Sequence, residues 1–136
     1  SVWGALQDLE VDRIGHATRA REDIALLEHL EKEATPLELC PLSNVATGVI
    51  PSYKDHPVHQ YWQHGLNITI NTDDPGMFHN HLTDEYMGLM DHFHFAPDDI
   101  RQLILNALEC SWRPTNGPQS SLTKQFQSHP NWELPQ

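Results

Sequence analysis

Three short segments rich in Ile, Leu or Val are separated by longer amphipathic stretches along the chain. Each short segment is bounded by Gly, Pro, Asp or Asn and is too short for a buried helix, so each predicts a β-strand. We predict these strands at residues 11–16, 36–41 and 66–71.

Apolar residues at helical spacing fill the stretches between and after the predicted strands. In the second predicted helix Ile24, Leu27 and Leu30 are expected on one side, with Leu26 beside them. Two segments are expected to be loops, residues 42–44 and the Pro-Gly stretch after residue 74. The predicted helices lie at residues 1–9, 21–33, 55–62, 83–92 and 97–110.

The end of the chain has a different composition. From Arg113 onward Pro, Ser, Gln and Asn are frequent, and we predict at most one short helix there, near residues 121–126. We therefore expect residues 1–113 to form the folded unit and residues 114–136 a polar tail.

Strands that alternate with helices predict an α/β fold with a parallel sheet. In such folds the functional residues lie at the carboxyl ends of the strands. The three predicted strands end at His16, at residues 40–44 and at the pair Asp73 and Asp74. We expect these residues to face one side of the sheet.

The adjacent carboxylates of Asp73 and Asp74 are the main chemical clue. Two carboxylates at the end of a buried strand repel each other, and their proximity costs free energy unless a cation or a hydrogen-bond donor offsets it. The pair therefore indicates a metal site.

Composition excludes several classes of function. The chain has 136 residues and a formal net charge of −11 with 8 Lys and Arg, which disfavours a nucleic-acid partner and suits a small ligand. No apolar stretch reaches the roughly 18–20 residues that span a bilayer.

Cys40 and Cys110 form no C-x-x-C motif, which favours a cytoplasmic setting over a disulfide framework. The first residue is Ser, not Met, and suggests a truncated N-terminus.

Three motifs resemble the last three strand motifs of the adenosine and adenine deaminases of the amidohydrolase superfamily. They are Arg13-Ile14-Gly15-His16, Leu39-Cys40-Pro41-Leu42-Ser43-Asn44 and Asn71-Thr72-Asp73-Asp74-Pro75. The resemblance implies strands six to eight of a zinc-dependent (β/α)8 barrel. An intact barrel of this type needs about 250 residues. The family's H-x-H and H-A-G-E motifs are absent, so we expect the C-terminal part of a longer enzyme.

The resemblance also implies roles for individual residues. Asp73 would ligate a single Zn²⁺, whose other ligands are expected in the missing N-terminal part, and the ion would lower the pKa of its bound water toward about 7. Asp74 would hydrogen-bond the five-membered ring of the purine. His16 would orient and stabilise the attacking hydroxide. The structural alternatives are an Asp pair that caps the next helix and a histidine bonded to backbone.

Residues near these motifs have less certain assignments. Ser43 and Asn44 either support the strand ends as hydrogen-bond donors or cap a turn. Cys40 fits a small buried apolar residue better than a ligand. Ala17 stands where the family usually has Gly, and a methyl group there would cause strain if the position needs a positive φ.

The remaining histidines fit ordinary positions. The pairs His79/His81 and His92/His94 have H-x-H spacing but follow no apolar strand, although His79 could line the pocket mouth. The others are expected at the surface or at helix ends: His29, His56, His59, His64 and His129.

We therefore expect a segment of an aminohydrolase that converts adenosine or a related 6-aminopurine to the inosine-type product and ammonia. The alternatives within the family are enzymes for adenine, aminodeoxyfutalosine or an N6-substituted nucleotide. A different alternative is a non-catalytic fragment that lacks most of the metal ligands. A phosphotriesterase-like barrel is disfavoured because the second Asp has no evident use there. In every case we expect the isolated 136-residue chain to be inactive.

Overall fold

The computed structural model of the protein describes residues 1–112 and 118–130 and contains a three-stranded parallel sheet. The spatial order is β1-β2-β3, so β2 is the central strand. Leu37 pairs with Ile14 on one side and with Ile68 on the other. The predicted α/β fold and parallel sheet are confirmed, although each strand is shorter than predicted. The strands are β1 (Ile14–Gly15), β2 (Leu37–Leu39) and β3 (Ile68–Ile70).

Helices cover both the connections between the strands and the region after β3. All five predicted helices are present, with shifted ends. The helices are α1 (Val2–Asp8), α2 (Ile24–Glu33), α3 (Pro41–Ala46), α4 (Val58–Gln63), α5 (Pro75–Phe78), α6 (Leu82–Phe93), α7 (Pro97–Glu109) and α8 (Pro118–Gln127). Two 3₁₀ turns, Ala20–Glu22 and Tyr53–Asp55, precede α2 and α4. None of the described helices has both the length and the apolar composition that a bilayer crossing needs.

The core lies between the sheet and its helices. Side chains of β2 and β3, including Leu37, Leu39 and Ile68, are fully buried. In β3 Ile68, Thr69 and Ile70 are all buried, and burial on both faces of a strand is typical of parallel sheets covered by helices. Helices α2 and α7 supply much of the covering apolar surface through Leu30 and Leu103, which are also fully buried.

The predicted apolar side of α2 is wrong at one position. Ile24 is 71% exposed, whereas Leu26 joins Leu27 and Leu30 in the core. At 100° per residue Ile24 lies roughly 110° from the centre of the Leu26, Leu27 and Leu30 face. The helix starts at Ile24 because the side chain of Asp23 accepts a hydrogen bond from the Leu26 amide at 3.1 Å.

Two segments predicted as loops are helical. Residues 42–44 lie within α3, where Pro41 occupies the first turn. The Pro-Gly segment forms α5, and Asp74 caps it by accepting from the Met77 amide at 3.0 Å. The short helix predicted near residues 121–126 is present as the longer α8. The predicted domain boundary at Arg113 lies outside the described residues.

Gly88 allows α6 to approach the 3₁₀ turn Tyr53–Asp55 closely. A Cβ atom at Gly88 would lie 2.6 Å from the Tyr53 hydroxyl oxygen, which is closer than packed atoms allow. The same hydroxyl donates a hydrogen bond to the Glu85 carbonyl at 3.1 Å. This contact packs α6 tightly against the 3₁₀ turn Tyr53–Asp55.

Candidate active site

The carboxyl ends of β1 and β3 bring His16 and Asp73 together. His16 follows β1 directly, and Asp73 lies shortly after β3. His16 Nε2 is 3.8 Å from Asp73 Oδ2, and the two side chains are 45% and 40% exposed. The predicted convergence of the strand ends on one site is therefore present, and the site is open on one side.

An open pocket of about 410 Å³ lies over these two residues. Glu38 and Cys40 of the central strand region form its floor with the end of β3, and Leu82 at the start of α6 contributes an apolar wall. Its lining residues are Gly15, His16, Glu38, Cys40, Ile70, Asn71, Thr72, Asp73 and Leu82. The pocket combines a carboxylate and an imidazole with apolar surface, as small-molecule sites commonly do.

The side chains of His16 and Asp73 are oriented by left-handed backbone conformations. His16, Ala17 and Asp73 have φ angles of 60°, 47° and 62°. This conformation costs about 1–2 kcal/mol for a residue with a Cβ atom. Strain of this kind is concentrated at functional sites, where surrounding contacts maintain it.

Ala17 occupies a position that favours glycine, which bears out the concern about its methyl group. Its φ is 47°, and the residue is only 7% exposed. The Ala17 carbonyl accepts hydrogen bonds from the Tyr61 hydroxyl at 2.7 Å and from the Ala20 amide at 2.9 Å. These bonds hold the turn after β1 despite the strained backbone.

Ser43 holds the Asp73 carboxylate. The Ser43 hydroxyl donates to Asp73 Oδ2 at 2.7 Å, and Ser43 itself is 2% exposed. Because Ser43 lies in α3, the position of that helix determines the orientation of the carboxylate. Ser43 was predicted either to support the strand ends as a donor or to cap a turn; this contact is of the first kind, and its role at the site stays a prediction.

Asn44 contacts His16 from the neighbouring position in α3. Asn44 Nδ2 lies 3.0 Å from His16 Nδ1, and Asn44 Oδ1 lies 3.1 Å from His56 Nε2. The Val58 amide donates to His56 Nδ1 at 3.1 Å. A continuous hydrogen-bonded path therefore connects α4 to the His16 ring.

His56 was predicted at the surface or at a helix end; it ends the 3₁₀ turn Tyr53–Asp55, but it does not lie at the surface. His56 is 3% exposed, and burial, followed by the nearby Arg21 and His16, lowers its pKa to about 4. The ring is therefore neutral at pH 7. Its position next to Pro57 at the start of a helix was the only local signal, and that signal does not distinguish a buried ring from an exposed one.

Glu85 is a second buried titratable residue that the sequence did not reveal. Its fully buried carboxylate accepts from the Leu42 amide at 3.2 and 3.3 Å and from Asn80 Nδ2 at 3.1 Å. Burial raises its pKa to about 7, although the Leu42 and Asn80 hydrogen bonds oppose the rise. Glu85 thus caps the N-terminus of α3, the helix that carries Ser43. One sequence signal was available: Glu85 lies four residues before Leu89, so both residues fall on the same, buried side of α6.

Cys40 is buried beneath the site. It is 6% exposed, and burial, then the charges of Asp73, Glu85 and Glu38, raises the pKa of its thiol to about 12. A protonated thiol is a poor nucleophile. Cys40 therefore behaves as the small buried residue that the sequence predicted.

The donor atoms at this site fit a metal ion. Ligand atoms of His16, Cys40 and Asp73 all lie within 4.8 Å of one another. Imidazole and carboxylate are ligands that zinc prefers in proteins, whereas the protonated thiol of Cys40 is not a ligand. Within residues 1–112 and 118–130 this is the one such group of three.

The two H-x-H pairs form helix ends. His79 and His94 are left-handed residues that end α5 and α6, and His81 is the N-cap of α6. His92 packs against Tyr53 with ring centroids 5.1 Å apart. None of these residues is part of the donor group at the strand ends.

Asp74 caps α5, which is the structural alternative considered for it. Its Oδ1 accepts from the Met77 amide at 3.0 Å, and the residue is exposed. A carboxylate can accept several hydrogen bonds, so this cap leaves acceptor capacity. The substrate contact expected of Asp74 stays a prediction.

The chain is similar to deaminases over most of its length. The family model described as adenosine deaminase matches residues 1–125. An aminodeoxyfutalosine deaminase from Streptomyces avermitilis is 46% identical over 117 residues, which are 86% of this chain and 33% of that protein. The chain thus spans about a third of the length of this relative.

Solved structures show the same fold. An adenine deaminase from Arthrobacter aurescens superimposes with a TM-score of 0.87 at 30% identity, over 96% of this chain and 39% of that chain. A zinc-bound amidohydrolase from Burkholderia ambifaria has a TM-score of 0.81 at 21% identity, over 93% of this chain and 35% of that one. The three-stranded sheet is therefore part of an α/β barrel.

Proposed function

The chain belongs to the adenosine deaminase family, and from this we propose that it is part of an enzyme that hydrolyses the exocyclic amine of a 6-aminopurine. The contact between His16 and Asp73 at the mouth of the pocket carries this proposal. In the reaction a water oxygen bonds to C6 of the purine, the C6–N bond breaks, and ammonia leaves with the transferred protons. The product is the inosine-type purine.

We propose that Asp73 holds a zinc ion. Its carboxylate is anchored by a hydrogen bond from Ser43, and carboxylates are common zinc ligands. When bound, the ion would lower the pKa of a coordinated water and supply a nucleophile near neutral pH. The remaining ligands would come from a part of the protein outside this chain.

His16 would position the attacking oxygen and transfer a proton at Nε2. This nitrogen faces Asp73 across the open side of the pocket. A histidine within hydrogen-bond reach of the attacking oxygen contributes typically about 10²–10⁴-fold to such a reaction. Asp74 at the adjacent position would accept a hydrogen bond from the purine ring while it caps α5.

Adenosine or a related 6-aminopurine is the proposed substrate class. The 46% identity to an aminodeoxyfutalosine deaminase supports that nucleoside as the second candidate. Adenine and N6-substituted nucleotides are the other family substrates considered. A net charge of −11 favours such small ligands over nucleic acid.

The test is Asp73→Ala in the full-length protein, because the carboxylate is proposed to bind zinc directly. Zinc content by plasma mass spectrometry and ammonia release from adenosine, adenine, aminodeoxyfutalosine and N6-methyl-AMP should both be lost. Asp91→Asn replaces an exposed acid of α6 and serves as the matched control, with both quantities unchanged. Unchanged zinc in Asp73→Ala would contradict the metal assignment. A wild-type protein that releases ammonia from none of the four compounds would contradict the proposed function.

A further inference from the structure

We propose that His56 and Asn44 are positioning residues that fix the proton of the neutral His16 ring on Nε2. Neither residue lines the pocket. The catalytic consequence rests on the proposed function, whereas the proton position follows from hydrogen bonding alone.

The chain of hydrogen bonds starts at a group with only one possible role. The Val58 backbone N–H can only donate, and it lies 3.1 Å from His56 Nδ1. His56 Nδ1 must therefore accept. A neutral imidazole that accepts at Nδ1 carries its proton on Nε2. The low pKa of about 4 agrees with a neutral His56.

His56 then determines the orientation of the Asn44 amide. Because His56 Nε2 donates, the Asn44 atom 3.1 Å away must be the acceptor Oδ1. The Asn44 Nδ2 group consequently faces His16. Asn44 is 3% exposed. Its backbone amide donates a hydrogen bond to the Cys40 carbonyl and its carbonyl accepts one from the Ile50 amide, so the backbone that carries the side chain is held in place.

The last step determines which nitrogen of the His16 ring carries the proton. Asn44 Nδ2 can only donate, so His16 Nδ1, 3.0 Å away, accepts. The proton of the neutral ring is then on Nε2, the nitrogen that faces Asp73 at 3.8 Å. His16 is half-exposed, so this bond also fixes the ring plane. His16 therefore presents an N–H donor, not an unprotonated nitrogen, to an oxygen bound in the pocket.

The isosteric change Asn44→Asp tests the direction of these hydrogen bonds. An Asp carboxylate accepts from both neighbouring rings, so His16 must then carry a proton on Nδ1. The ¹⁵N resonances of the His16 ring distinguish the two neutral forms and are measured in the metal-free full-length protein at about pH 8. The wild type should show Nε2–H and Asn44→Asp should show Nδ1–H.

The same variants are then assayed as full-length zinc-loaded protein. In Asn44→Asp, kcat should fall about 10²-fold or more, with KM changed less than about threefold, since the proton needed for transfer is on the wrong nitrogen. His56→Ala should lower kcat in the same direction, because Asn44 can then flip. His59→Ala changes a histidine of α4 that lies outside this path, and it should leave kcat and the His16 resonances unchanged.

Two results would overturn the proposal: Nδ1–H on His16 in the wild type, or Nε2–H retained in Asn44→Asp. The ring resonances also report on variants that fold without activity. If the resonances change as expected but wild-type protein releases no ammonia from any 6-aminopurine, the positioning role stands and the proposed function fails.

Discussion

At the scale of single residues, Glu85 places a titratable carboxylate in the interior. The residue has no exposed surface, and its carboxylate contacts the N-terminal amide of α3 at Leu42. Removing a carboxylate from water disfavours its charged form, while the amide and the helix N-terminus favour it. The balance raises the pKa of Glu85 from 4.5 to about 7.

This raised pKa predicts a specific pH dependence of stability. The folded protein holds the Glu85 proton between pH 4.5 and about 7 while the unfolded chain releases it, so the free energy of unfolding falls as pH rises through that window. The loss should be about 3 kcal/mol. Glu85→Gln should remove this component of the decrease between about pH 5 and pH 8, measured by urea unfolding. Glu28→Gln, an exposed acid of α2, should keep the wild-type slope, and an unchanged slope in Glu85→Gln would contradict the prediction.

The strand-end residues that the sequence predicted to lie close together differ in kind from the buried residues that it missed. His16 and Asp73 could be found because each follows a short strand, and parallel strands end on one side of a sheet. His56 and Glu85 act through contacts with residues 12 and 43 positions away in the chain. Local patterns carry no information about such packing, so a buried Glu or His looks like any other polar residue of a helix.

At the scale of secondary structure, Arg13 joins three elements below the site. Its guanidinium donates to the Glu38 carboxylate in β2 at 2.6 Å and to the Cys110 carbonyl at the end of α7, also at 2.6 Å. The Trp112 ring lies 4.0 Å from the Arg13 Cζ atom. A planar group with several donors can make all of these contacts at once, whereas a lysine ammonium cannot.

Arg13→Lys should therefore destabilise the protein although it keeps the charge. We expect a loss of about 1–2 kcal/mol, measured by chemical unfolding, from the hydrogen bond that lysine cannot make. Arg19→Lys is the matched control, because Arg19 also pairs with a Glu through two hydrogen bonds but lies at the surface. It should give no measurable change. Equal effects of the two substitutions would show that the triple contact of Arg13 is not responsible.

Prediction of the elements succeeded where the local sequence contains the signals that start or end them. Helices α6 and α7 carry clear apolar periodicity and capping residues, so their positions followed from the sequence. The short helices α3 and α5 were missed because helices of fewer than two turns leave no apolar periodicity to detect. Each depends on a proline in its first turn, a signal that also occurs in loops.

At the scale of the whole molecule, the sheet has two outer edges. In the described part of the chain β1 and β3 each pair only with β2. Strand edges with free N–H and C=O groups readily pair with other chains. The cited relative is about two and a half times as long as this chain, and its additional strands would be the natural partners of these edges.

We therefore expect the isolated chain to associate and to lack deaminase activity. Light scattering after size exclusion should show species larger than the 15.6 kDa monomer, and the chain should retain little zinc on dialysis. The full-length protein should be free of such edge-driven aggregation and should retain zinc. A monomeric isolated chain that releases ammonia from a 6-aminopurine above the rate of a matched Asp73→Ala preparation would refute this expectation.

The close approach at Gly88 also affects how this family can diversify. The Tyr53 hydroxyl occupies the space that a side chain at position 88 would need, and it bonds to the backbone at Glu85. A larger residue at 88 is therefore compatible with the fold only if position 53 becomes smaller at the same time. Substitutions at positions 53 and 88 should therefore occur together, so that a larger residue in the helix is accompanied by a smaller residue in the turn.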